Sequence, residues 1–137
     1  MIFPAISAQT AGVLIVLQTF LMFWAAFGRR KYKAALGTGG EQKLEKRVRA
    51  HGNLAENAAI FLIVLVLLEM GGMSSTSLSY LAGAYIVVRL AHVIGIGILK
   101  PGANPFRAIG TMGTGLLNLI AGGLLIKTYG IFFICPV

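Results

Sequence analysis

One cysteine, four acidic residues and charge on only 12% of positions are all that this 137-residue chain has of three common chemistries. The single cysteine, Cys135, leaves no partner for an internal disulfide, a CxxC redox pair or a thiolate metal cluster. That also removes membrane thiol–quinone oxidoreductases, which need cysteine pairs, and Cys135 is expected to be inert. No metal site is expected. Soluble domains carry about 25% charged residues. A value of half that, with 57% hydrophobic residues and a mean hydropathy of +0.83, describes an integral membrane protein.

The charge that is present is lopsided. Twelve Lys and Arg against four Glu give a net +8, and eight of the twelve basic residues fall between Arg29 and Arg49. A basic loop beside apolar spans reads as topology and contact with anionic lipid, not as nucleic-acid binding. Four apolar segments can be marked, at about Ile6–Phe27, Leu54–Met70, Leu78–Leu99 and Ala108–Phe133. Each approaches the roughly 20 residues that cross a bilayer core. The expected fold is therefore an all-α, four-helix transmembrane bundle in one domain, with helices over about 6–27, 45–70, 78–99 and 107–133. No basic residue precedes the first segment, so a cleavable signal peptide is not expected. Ten basic residues in the first and third loops against Lys127 on the other side put those loops in the cytoplasm and both termini outside.

The run Gly37-Thr38-Gly39-Gly40 reads as a turn, after which Glu41–Arg49 can already be helical. The second helix then starts in the cytoplasm and carries polar residues inward. Pro101 and Pro105 are expected to break the chain before Arg107. Glycine is abundant, at 18 residues, and Gly110, Gly113 and Gly115 are expected contact points for close helix packing.

Three polar stripes stand out. Arg49, Asn53 and Glu56 are spaced i, i+4, i+7 and share one helix face. Arg89 and His92 share a face of the third helix, and Arg107, Thr111, Thr114 and Asn118 share one of the fourth. At 1.5 Å of rise per residue, Asn53 lies about 6 Å and Glu56 about 10 Å inside Arg49. All three stripes thus occupy the same half of the bilayer. Each residue alone also has a plain structural reading. Arg49 and Arg107 can be interface anchors, and Asn53, Thr111, Thr114 and Asn118 can be interhelical hydrogen-bond partners. Arg89 is expected to neutralise Glu56, His92 can be a core histidine, His51 faces elsewhere, and Glu69 is expected to be solvated. The joint pattern favours a site for a small zwitterionic ligand, because ionisable groups at membrane depth are costly.

The segment Glu45-Lys46-Arg47-Val48-Arg49-Ala50-His51-Gly52-Asn53-Leu54-Ala55-Glu56-Asn57 resembles the second-helix motif of the membrane-associated proteins in eicosanoid and glutathione metabolism, the MAPEG superfamily. Arg89-Leu90-Ala91-His92 and Arg107 extend the likeness, as do size, span number and the basic first loop. The resemblance implies a homotrimer with glutathione bound between subunits, open to the cytoplasmic side. It implies glutathione contacts from Arg49, Asn53, Glu56 and His92, and from Arg29 or Arg30, with Arg107 beside the thiol as the catalytic cation. A bacterial inner-membrane member similar to microsomal glutathione transferase fits best. Such a protein joins glutathione to lipophilic electrophiles or reduces lipid peroxides, with membrane lipid around it. Ile96 stands where eicosanoid synthases have a tyrosine, and Ala108 and Thr111 where one branch has a serine and a tyrosine. Those departures argue against prostaglandin-type isomerisation and keep a catalytically silent binding protein in view. A small multidrug transporter is the remaining alternative, but its first helix needs an embedded carboxylate, and none occurs here.

Overall fold

The computed structural model describes residues 3–99 and 104–130. Among these residues the secondary structure is helical, in four long helices: α1 (Ala5–Lys31), α2 (Gln42–Met70), α3 (Ser75–Val93) and α4 (Pro105–Tyr129). Each, with α3 continued to Ile98, is long and apolar enough to cross a membrane. Cys135, Lys100, Pro101 and the end expected for the fourth helix at Phe133 lie outside the described residues.

The helix limits follow local chemistry. α1 runs past Phe27 because Arg29, Arg30 and Lys31 occupy its last turn, where cations offset the negative end of the helix dipole. α2 does begin before the apolar segment: Glu41 is its N-cap and accepts from Lys43 N. At 29 residues it is about 43 Å long, so its first turns project beyond a bilayer core of about 30 Å. Ser74 caps α3 by accepting from Ser77 N. Pro105 was expected in the loop before Arg107, but it is the first residue of α4, where its missing N–H costs nothing. Asn104 caps that helix, its Oδ1 accepting from Arg107 N at 2.9 Å.

The most extensive pairings are α1 with α2 and α3 with α4, as neighbours joined in an up-down bundle. The core is built at helical spacing: Leu54, Ala58, Phe61, Leu65 and Leu68 from α2 meet Leu78, Leu81, Ala82 and Tyr85 from α3 and Leu14 and Leu21 from α1. The outside is as apolar as the inside, with Val16, Phe20, Ile60, Tyr80, Met112 and Leu119 all exposed. In water that surface would aggregate, whereas in lipid it is the expected solvent face. Glycine brings α3 and α4 together. A Cβ at Gly110 would overlap His92, and one at Gly113 would come within 2.7 Å of Val88. Gly115, expected to do the same, has open space in front of it. The fourth helix turns 100° per residue, so Gly115 lies off the face shared by the other two.

Glu69 corrects the sequence reading at the far end of the bundle. It is buried, not solvated. Its Oε1 accepts from Ile6 N at 2.9 Å, and its Oε2 accepts from Ser7 N at 2.8 Å and Ser7 Oγ at 2.6 Å. Pro4, the N-cap of α1, supplies no side-chain acceptor, so the carboxylate of α2 satisfies those amides instead.

Candidate functional site

At the end of the bundle nearest the first loop, α3 loosens into a π-helical turn over Ile94–Ile98, with Leu99 N bonded to Ile94 O five residues back. Two glycines allow it. A Cβ on Gly95 would run into the backbone of Phe106 and Arg107, and one on Gly97 would meet the Trp24 ring at 2.9 Å. Asn104 Nδ2 donates to Gly95 O at 3.0 Å while its Oδ1 caps α4. One side chain thus starts α4 and ties it to the π turn, which brings Arg107 up beside the end of α3. The sequence signal for this, glycines at 95 and 97 in an apolar run, was read only as apolar span.

A cavity of about 790 Å³ opens between these elements. That lies within the roughly 300–1,000 Å³ of small-molecule sites. Arg49, Asn53 and Glu56 reach it from α2, His92 and Ile96 from α3 and the π turn, and Arg107 and Thr111 from α4. Three helices therefore bring Arg49, Asn53, Glu56, His92 and Arg107, five of the seven residues expected at the glutathione site, to one space. Gln42, Glu45 and Lys46 line it too. They were not singled out, although the face carrying Arg49 and Asn53, followed back one and two turns, passes through all three. His51 is not among the residues that line the cavity, and its backbone carbonyl takes a bond from Gln18 at 3.4 Å. Arg29 and Arg30 are not part of the cavity. They line a separate shallow hollow of about 340 Å³ with Lys33, and Arg29 Nη1 donates to Gly37 O at 2.6 Å.

The lining is rich in donors. Lys46, Arg49 and Arg107 face it against Glu45 and Glu56, and the first turn of α4 adds the positive end of a helix dipole. Glu56 is exposed to this space. The expected ion pair between Arg89 and Glu56 does not form. Arg89 is 1% exposed, and donates instead to Asn53 Oδ1 at 2.8 Å and Thr114 Oγ1 at 3.2 Å. Depth along the helix axis suggested Glu56, but the bundle presents Asn53 to the guanidinium. Thr111 Oγ1 lies 3.3 Å from His92 Nδ1, and Nε2 of that buried ring has no partner among the described residues. Arginine forks suit carboxylates, Glu56 suits an ammonium, and a cation beside a thiol favours its thiolate.

Comparison with known proteins gives the family. The model of the MAPEG family matches residues 7–127. The chain is similar to inner membrane protein YecN of Escherichia coli K12, 32% identical over 92 residues, which cover 64% of this chain and 70% of the relative. The same protein from Escherichia coli O6:H1 matches equally. No solved structure matches significantly. With four membrane-crossing helices and a family match along nearly all of its length, this chain is an integral membrane protein of the MAPEG family.

Proposed function

We propose that the protein binds glutathione in the cavity between α2, α3 and α4, and uses it in a bacterial inner membrane to conjugate lipophilic electrophiles or to reduce lipid peroxides. The observation that carries this reading is the convergence of Arg49, Asn53, Glu56, His92 and Arg107 on one cavity. Glutathione offers two carboxylates for arginines, an ammonium for Glu56 and a thiol for the neighbourhood of Arg107. Conjugation is then direct. The thiol loses its proton to solvent through the open mouth, the sulfur attacks the electrophilic carbon, and the leaving group departs as an anion. Arg107 is the catalytic residue in this reading, holding the sulfur as thiolate. In peroxide reduction, two glutathiones give the alcohol, water and glutathione disulfide.

A homotrimer with the first loop in the cytoplasm and both termini outside completes the reading. An exposed Glu56 facing lipid is costly, and a neighbouring subunit closing the cavity removes that cost. The same neighbour can bring Arg29 or Arg30, which one subunit keeps apart from its own cavity. Thermal unfolding of the purified protein with and without glutathione tests binding. At 100 times the dissociation constant the ligand adds about 2.7 kcal/mol. No shift at saturating glutathione refutes the reading, and a strict monomer in mild detergent refutes the shared site.

A second reading has its own observation. Ile96 puts a hydrocarbon side chain on the cavity wall at a position where the resemblance leads one to look for a hydroxyl. A protein that binds glutathione but shows neither thiolate absorbance nor turnover with an aryl halide or a lipid peroxide is the silent binding member.

A further inference from the structure

Arg89 is the largest fully buried side chain among the described residues and does not line the cavity. Burying a guanidinium in a membrane bundle costs several kcal/mol unless its donors are met. Here two of them are met by neutral oxygens, Asn53 Oδ1 on α2 and Thr114 Oγ1 on α4. Thr114 is fixed first: its hydroxyl donates to Gly110 O at 2.6 Å, so toward Arg89 the oxygen can only accept. The guanidinium in turn can only donate. The end of Asn53 that faces it is therefore the carbonyl, and the Nδ2 amide is left for the cavity that Asn53 lines.

We infer that Arg89 is a positioning residue that sets the polarity of the binding site: by holding the Asn53 carbonyl, it makes Asn53 a donor toward the ligand. Resting on the glutathione reading above, this assigns to Asn53 a ligand oxygen that only accepts, a carboxylate or a peptide carbonyl. An asparagine without such a lock presents either end at the cost of a rotation. The lock makes one end available before the ligand arrives and selects against ligands that need an acceptor there. The chain Gly110 to Thr114 to Arg89 to Asn53 therefore carries a constraint from the backbone of α4 into the specificity of α2.

Reduced glutathione binding, measured by calorimetry on the purified protein, tests the inference through four single variants and one double variant. Asn53→Asp keeps a partner for Arg89, now a charged one, but offers the ligand only acceptors. It is expected to hold the wild-type melting temperature or exceed it while losing affinity by tenfold or more, on the order of one charge-assisted bond. Arg89→Gln can donate or accept, and is expected to weaken binding about tenfold in the wild-type background but at most about twofold in an Asn53→Ala background. Arg89→Lys, which donates only, recovers part of the loss. Equal losses for Arg89→Gln in both backgrounds, or undiminished affinity in Asn53→Asp, overturn the inference.

A ligand-free measurement separates this outcome from failure of the glutathione reading. Asparagine-labelled protein, with the Asn53 signal assigned by its absence in Asn53→Asp, is expected to show Nδ2 protons that exchange with water through the open cavity. Protection of those protons in the wild type means that the amide points inward, and overturns the inference whether or not glutathione binds.

Discussion

The two ends of the bundle hold charge in opposite ways: the far end buries Glu69, and the end nearest the first loop leaves Arg49, Glu56 and Arg107 exposed to a cavity. At the far end, Glu69 accepts from two backbone amides and a hydroxyl of α1, so both of its oxygens are engaged within the bundle. Tyr129 closes that same end by donating to Leu67 O at 3.1 Å, packed so closely on Gly71 that a Cβ there would meet its hydroxyl at 2.6 Å. At the end nearest the first loop, Arg49, Glu56 and Arg107 face a cavity, and among the described residues their side chains enter no hydrogen bond. Asn53 is half spent: its carbonyl is held by Arg89, and among the described residues its amide makes no bond. A saturated charge fastens helices together, and charges with open bonding capacity mark a site.

Four substitutions test that contrast. Arg49→Ala is expected to weaken glutathione binding by about 2–5 kcal/mol, as for removal of one partner from a desolvated charge pair, with little change in melting temperature. An effect under about 1 kcal/mol makes Arg49 an interface anchor and not a ligand contact. Glu69→Gln is expected to do the reverse. Its replacement amide can no longer accept all three donors, so unfolding in detergent should become easier by about 2–4 kcal/mol while glutathione affinity per folded molecule stays put. If Glu69→Gln lowers affinity as strongly as stability, the two ends are coupled and the comparison fails.

Arg107→Ala sharpens the contrast within the site itself. Turnover with an aryl halide is expected to fall by about 10- to 100-fold, or about 1.4–2.7 kcal/mol of barrier, with much of the glutathione affinity kept. The thiolate absorbance of bound glutathione should fall in parallel, and an unchanged absorbance removes Arg107 from the chemistry. Tyr129→Phe is the smallest test. It deletes one neutral hydrogen bond near the bundle's surface and is expected to cost about 0.5–1.5 kcal/mol of stability, with no change in ligand affinity.

How much of this could be read before any coordinates depends on the residue. Arg49, Asn53 and Glu56 were legible because helix period alone puts i, i+4 and i+7 on one face. The meeting of that face with His92 and Arg107 was legible only coarsely, from their shared depth. The partner of Arg89 was misjudged, since depth orders residues along the bundle axis and says nothing of rotation about it. Glu69 was misjudged for a related reason: its donors lie 62 and 63 residues away at the start of α1. A serine and an isoleucine amide at a helix start carry no visible sign of demand for an acid.

By itself the sequence determined the class of the molecule: scarcity of charge, four apolar runs of bilayer length and a basic first loop allow little besides a helical membrane bundle. Lipid leaves no water for unpaired backbone groups, so the choice of helix is made residue by residue and locally. Which helix faces meet was decided only in three dimensions. Close packing at Gly95, Gly110 and Gly113, and the bonds made by Asn104, Arg89 and Glu69, select one set of rotations among many that bury the same apolar surface. Apolar side chains gain as much from lipid as from one another, so hydrophobicity does not choose among those rotations. Small residues that permit contact and directional polar bonds between helices do.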